Sequence, residues 1–372
     1  MKPLPVIPVA TATLLPPLYA AWMDALLEGP IPPETEATCD DCAMCPRASD
    51  PGAGTGIYFD PKVKCCSMFP ELANFLVGRL LGDDDPALAP GRDAVRARIR
   101  AGAGITPLGL GRSPLEALLY QNRPAGAFGR SRALRCPYFV EDAVSGGCGV
   151  WRHRAAVCAT YFCKHVRGAV GQRFWKALHQ LLGAVETALA RHAALELGLD
   201  ASALRRLFPL PGEPAPADAD AGRQLDGSSS DEPSRRALFG RFAGREEAFY
   251  GACAAIVDGL AWADVERVGG PDVRLYARLA RAAHDELLSD HVPLALRPGA
   301  VQIVASDRDF VRVWSYSHYD PVAVPKGLLD VLCWFDGRPT AEAVRAIEAA
   351  RGVKLDAATV RKLVDFGILV PA

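Results

Sequence analysis

Apolar positions recur at helical spacing through much of this chain, and the stretches between them lose all period. Leu72, Phe75, Leu76 and Leu80 fall on one face, so the spacing predicts a helix over 69–81. Phe174, Leu178, Leu181, Leu182, Val185 and Leu189 form the longest stripe and predict the strongest helix, over 170–197. Shorter helical patterns cover 18–27 and 86–99, the second ending in the glycines at 102 and 104. Two more helices are expected over about 236–262 and 272–289. After 290 the period changes. Residues 292–296, 301–305 and 310–315 read as short strands, and helices follow over 326–335, 340–351 and 356–366. Thr340 starts the middle helix of the three, and residues 367–370 close the chain as a strand. Residues 39–66 and 130–168 are irregular and rich in Pro, Gly and Cys.

These patterns divide the chain into an irregular, cysteine-bearing region over 1–208, a flexible linker over 209–235, a helical segment over 236–290 and a compact tail over 291–372. A length of 372 residues agrees with two to three domains. The expected fold class is α+β and mainly helical: an irregular Cys-rich metal-binding domain plus a small winged-helix-like C-terminal domain.

Composition narrows the function. Half of the residues are hydrophobic and 23% are charged, enough to bury a substantial core. Lys and Arg number 42 against 43 Asp and Glu, so the chain lacks the basic footprint of a nucleic-acid binder. No unbroken apolar run is long enough for a membrane helix, so no membrane association is expected. Pro3, Pro5, Pro8, Pro16 and Pro17 interrupt the apolar N-terminal stretch, which argues against an export signal and for a cytoplasmic chain. In that reducing compartment, clustered cysteines read as metal ligands or redox groups rather than disulfides.

Nine of the 11 cysteines fall between Cys39 and Cys163. Cys39, Cys42 and Cys45 form a C-x2-C-x2-C run closed by Pro46, a spacing that wraps three thiolates around a zinc or three corners of an iron–sulfur cluster. A fourth ligand must come from elsewhere, and Cys65 or Cys66 is near enough in sequence. Adjacent side chains usually diverge, so these two serve different sites or one packs in the core. Cys136, Cys148, Cys158 and Cys163 make the second group. The candidate metal ligands are therefore Cys39, Cys42, Cys45, Cys65, Cys66, Cys136, Cys148, Cys158 and Cys163. His153 and His165 lie inside the second group as further ligand candidates, and Arg154 as a brace or a hydrogen-bond donor to sulfur.

The pieces around the second group carry a resemblance. Cys136-Pro137-Tyr138-Phe139, then Cys148 through Arg154 to Cys158, resemble the YkgJ-type cysteine-cluster family, described as zinc- or iron-chelating. The family's opening C-x2-C-x2-C-C is matched by Cys39, Cys42 and Cys45, but Pro46 stands at its fourth cysteine and Ala155 at its proline after the arginine. The resemblance spans about 38–166 and implies a metal site. Distant relatives include flagellin lysine N-methylases, which implies protein modification but transfers no catalytic residue. The tail resembles PqqD-like winged-helix modules through Leu296-Arg297-Pro298-Gly299, the 327–340 stretch with Asp336-Gly337, and 360–369. That resemblance implies a peptide partner pairing with a strand edge.

Other signals carry less. The glycines at 52, 54 and 56 follow no apolar strand, so a nucleotide loop is not expected there. His179 and His192 pair with nothing, and His284 with Asp285, Glu286 and His291 reads as a solvated helix face. Trp151, Trp175, Trp262, Trp314 and Trp334 read as core. The functional expectation is a protein that binds an iron–sulfur cluster, slightly preferred, or zinc, within a peptide- or protein-modifying system. The alternatives are a zinc-stabilised scaffold or regulator without catalysis, or a metal chelator. No catalytic residue is assigned.

Overall fold

Long apolar stripes with few β-branched runs favour helix, and 54% of the residues are helical against 11% in strands. The fold is α+β and mainly helical, with small sheets. The computed structural model describes residues 15–35, 38–39, 42–46, 58–208, 225 and 232–372. The glycine loop at 52–56 lies outside these residues, as does all of the expected linker except 225 and 232–235.

Contacts divide the chain into two compact units. The first comprises Met1–Gly29, Cys45–Thr160 and His179–Ala277; the second comprises Pro30–Met44, Tyr161–Leu178 and Arg278–Ala372.

In the first unit, helix α1 (Pro17–Leu26) starts with proline in its first turn and buries Tyr19, Trp22, Met23 and Leu26. The expected 69–81 helix is shorter. Leu72 and Ala73 form strand β1, paired with β3 (Gly109–Leu110), which also pairs with β2 (Ile105–Thr106). Sheet pairing claims the first residues, and helix α2 begins only at Asn74 and runs to Leu81. Buried Asn74 fixes that start: its Nδ2 donates to the carbonyls of Pro107 at 2.9 Å and Ala190 at 2.8 Å. Helix α3 (Ala89–Ala101) ends on Gly102 at φ +65°, a left-handed C-terminus that glycine adopts without strain. Helix α4 (Pro114–Gln121) opens on a Ser113–Glu116 capping box. A hairpin of β4 (Phe139–Glu141) and β5 (Gly146–Cys148) precedes the short helix α5 (Ala156–Ala159).

Helix α6 (Gly168–Glu196) realises the longest stripe; its residues to 178 belong to the second unit and those from 179 to the first. Helices α7 (Ala201–Leu207), α8 (Glu232–Phe239) and α9 (Glu246–Asp258) complete the first unit with the start of α10 (Trp262–Leu288). The single helix expected over 236–262 is thus broken, because Gly240 and Gly244 take positive φ. Helix α10 begins ten residues before the expected 272 and is interrupted at Gly270, φ +63°, just before Pro271.

The second unit carries the tail. Strands β7 (Gln302–Ser306), β8 (Phe310–Trp314) and β9 (Val322–Pro325) form an antiparallel sheet in that order, and β6 (Leu296–Pro298) pairs with β10 (Leu369–Pro371). Helices α11 (Lys326–Leu329), α12 (Thr340–Arg351) and α13 (Ala357–Asp365) follow the sheet. Val311 and Val313 point from β8 into a core shared with Val324, Phe335, Ile347 and Leu363. Strand β9 has no counterpart in the sequence reading, because Pro321 and Pro325 bracket a run of only three apolar residues. Thr340 does open α12, but its hydroxyl donates to the Pro293 carbonyl at 2.7 Å instead of capping the helix.

Candidate metal-thiolate site

The site begins with a turn. The Asp60 carbonyl accepts the amides of Val63 and Lys64, and its carboxylate accepts that of Lys62, which coils the chain tightly. The coil leaves Lys64 at φ +51°, the one positive-φ residue other than glycine among the described residues. Cys65 and Cys66 come next, on a 3₁₀ turn over Lys64–Ser67. Their side chains hydrogen-bond each other, so the expected divergence of adjacent thiols does not occur.

Two further contacts bring the second cysteine group to this turn. The Cys136 amide donates to the Cys66 carbonyl at 2.6 Å, and the Lys64 ammonium donates to the Gly146 carbonyl at 2.8 Å. The β4–β5 hairpin places Cys148 opposite Phe139, three residues beyond Cys136, and the Gly149 amide donates to the Tyr138 carbonyl. The hairpin packs closely on α3: a Cβ on Gly91 would stand 1.9 Å from the Gly149 carbonyl oxygen. Tyr138 is buried edge-on against Phe69, and the Arg98 guanidinium lies 4.6 Å above that ring. Arg98 also makes a two-pronged ion pair with Glu116.

The result is a nest of five thiols, Cys65, Cys66, Cys136, Cys148 and Cys158, close enough to repel one another as thiolates. Burial pushes the Cys136 thiol up to about 12, and its repulsion by Cys148 adds to this. Cys158 is raised well above the ordinary thiol value by burial and then by Cys148, Cys136 and Cys65. Cys66 is raised by burial and by Cys148, Cys136 and Cys158, against the lowering effect of its hydrogen bond to Cys65. Arg98 and Arg154 act the other way, favouring the thiolates of Cys136 and Cys158. Thiols so placed hold their protons in the absence of a cation, and a thiophilic metal would take the protons' place. Among the described residues, no three His, Cys, Asp or Glu side chains are gathered tightly enough to hold a single metal ion.

The other candidates are distributed differently. Cys39, Cys42 and Cys163 belong to the second unit and Cys45 to the first. Cys39 is exposed; Cys42, Cys45 and Cys163 are half-buried. In the second unit, buried Glu34 accepts the Trp175 indole N–H at 2.8 Å and the Val166 amide at 2.7 Å. Those bonds clip the segment leading to Cys39 onto the segment carrying Cys163. His165 is buried there with Nδ1 3.8 Å from Glu34. His153 is engaged elsewhere: its Nε2 lies 2.8 Å from Asp83 Oδ2, and Arg152 donates to Asp83 and Asp85. Burial acts against ionisation of Asp83, but the His153, Asp85 amide and Arg152 hydrogen bonds outweigh it and lower its carboxyl to about 2. Arg154 braces its loop, donating to the Trp151 carbonyl at 2.7 Å with its guanidinium 3.7 Å above the Trp151 ring.

Some expectations fail on burial. Trp151 is 38% exposed, a platform for Arg154 rather than core, and Trp314 is half-buried, whereas Trp334, also half-buried, packs against the core of the tail. His284 is 1% exposed, not on a solvated face; it packs on Phe174 and bonds the Pro30 carbonyl. Sequence reasoning also passed over Glu186. It accepts the Tyr19 hydroxyl and the Ala156 amide two residues from Cys158, and it lines a cleft of about 790 Å³ with Glu71, Arg112, Arg191 and Arg206. Burial raises its carboxyl to about 7, despite both hydrogen bonds. A signal existed: Glu186 interrupts the apolar face of α6 one turn after Leu182. Lys64 gave no signal at all.

No protein-family model, no curated protein and no solved structure matches this chain. The likenesses to the cysteine-cluster family and to the PqqD-like modules therefore rest on the motif residues quoted above.

Proposed function

We propose that this chain binds an iron–sulfur cluster, or zinc, through the thiol nest of Cys65, Cys66, Cys136, Cys148 and Cys158, as part of a system that modifies a peptide or protein. The observation that carries the reading is convergence. Cysteines far apart in sequence meet at one buried turn, joined by the Cys136–Cys66 and Lys64–Gly146 hydrogen bonds. Protonated, these thiols pack as small apolar groups, and a thiophilic cation would bind them as thiolates in place of the protons. Nine cysteines between Cys39 and Cys163 exceed the four that one tetrahedral zinc takes, which supports an iron–sulfur cluster slightly over zinc.

The tail supports the recognition half of the proposal. Strand β7 lies at the edge of its sheet, and Ile303 on it is 64% exposed, so an extended peptide has backbone to pair with and a side chain to meet. A second reading keeps the nest but not the chemistry: five thiols suffice for one closed four-thiolate zinc site that only stabilises the fold. The test is the visible spectrum and elemental content of anaerobically purified protein. Brown protein with on the order of four irons per chain supports the cluster reading. Colourless protein with zinc leaves the stabilising reading, and protein with neither metal sinks both.

A further inference from the structure

We propose that Lys64 is a positioning residue of the thiol nest, setting the Cys65–Cys66 pair against the hairpin that carries Cys148; this rests on the metal-binding reading above.

Three observations converge on this residue. Lys64 stands at φ +51°, where a side chain costs about 1 kcal/mol or more and glycine costs far less. It is 6% exposed, although burying an ammonium is expensive and lysine is rarely chosen for it. Its Nζ reaches the Gly146 carbonyl, two residues before Cys148, while its own backbone leads directly into Cys65 and Cys66. A position selected only for its backbone would favour glycine, and one selected only for packing would favour an apolar side chain. A strained, buried lysine satisfies both demands of the site at once. The stem and ammonium tie the two cysteine-bearing segments together. Positive charge on the Cys136 and Cys158 sides comes from Arg98 and Arg154.

The experiment titrates zinc(II) into the metal-free full chain against a chromophoric chelator, for wild type and for Lys64→Met, Lys64→Gly and Lys64→Arg. Loss of an outer contact to a metal site weakens binding by about 10- to 100-fold. That loss is expected for Lys64→Met and Lys64→Gly, while Lys64→Arg, which keeps the charge and the donor, stays close to wild type. Lys64→Gly binding as tightly as wild type would overturn the proposal, because the residue would then serve only the turn. Lys64→Arg binding as weakly as Lys64→Gly would overturn the role of the donated hydrogen bond. Should Lys64→Met fail to fold, the glycine and arginine variants decide between them. A wild-type chain that takes up neither zinc nor iron overturns the metal reading itself, an outcome distinct from wild-type binding that the variants leave unchanged.

Discussion

Single residues with unusual surroundings set the pH behaviour of this protein. Glu186 is protonated more readily in the folded chain than the ordinary carboxyl value of 4.5, with burial as the first cause. Its contribution to stability is complete below about pH 4.5 and is lost as pH rises through about 7. Glu186→Gln, which can still accept from Tyr19 and Ala156, should therefore gain on wild type between pH 5 and pH 8 by on the order of 2 kcal/mol. Denaturant unfolding of the metal-free chain at the two values reads this, and parallel pH profiles would refute it. Asp83 acts with the opposite sign. Its carboxyl is lowered to about 2 by His153, the Asp85 amide and Arg152 against the cost of burial, so its contribution stands above 3.8 and fades as pH falls toward 2. Asn74 makes a different prediction. Asn74→Ala abandons two buried carbonyls and should cost about 2–4 kcal/mol of stability. Of these residues only Glu186 was visible in the sequence, as an acid on an apolar stripe. Asn74 and Asp83 look like ordinary surface residues until their distant partners are known.

At the scale of elements, periodicity located the helices and close approaches set their limits. The α6 stripe, the glycine stop of α3 and the tail helices α12 and α13 were legible, because an amphipathic face needs only local spacing; the helix expected over 326–335 is only the four-residue α11 and a 3₁₀ turn over Leu332–Trp334. Starts and breaks were less so: a pairing with β3 trimmed α2, and Gly240 and Gly244 divided what spacing joined. Helices α2 and α9 approach through Gly78, where a Cβ would stand 1.9 Å from the Tyr250 carbonyl oxygen. Gly78→Ala should accordingly force the two helices apart and cost about 1–3 kcal/mol, the range for overpacking a tight contact, read as a lowered thermal midpoint. An unchanged midpoint would mean that the pair is not tightly locked. The hairpin has a similar constraint. With Gly91 and Gly149 backbone to backbone, a side chain at either position would push Cys148 from the nest.

Across the whole molecule, contacts between residues distant in sequence determine what each unit can do. On the proposed metal binding, chelation should lower the unfolding temperature and expose the 60–66 and 136–158 segments to protease, since the metal would join those loops to each other. Protease patterns identical with and without chelator would count against a stabilising centre. In the second unit, Arg167 donates to both Asp365 oxygens and to the Leu287 and Ser289 carbonyls, and Arg361 shares Asp365. Arg167→Met leaves that carboxylate half-paired and should cost about 3 kcal/mol, seen as faster hydrogen exchange in α13. The sequence by itself determined the α+β, mainly helical class and the cysteine-rich region, because these follow from composition and local period. Only the tertiary structure decided that Cys65, Cys66, Cys136, Cys148 and Cys158 form one nest while Cys39, Cys42 and Cys163 belong to another unit. It also decided that Lys64 is buried next to Cys65 and that Glu186 is half-buried at the amide of Ala156, two residues from Cys158. Thiols come together through hydrogen bonds between segments some 70 residues apart, and no spacing rule along the chain records which distant carbonyl an amide will find.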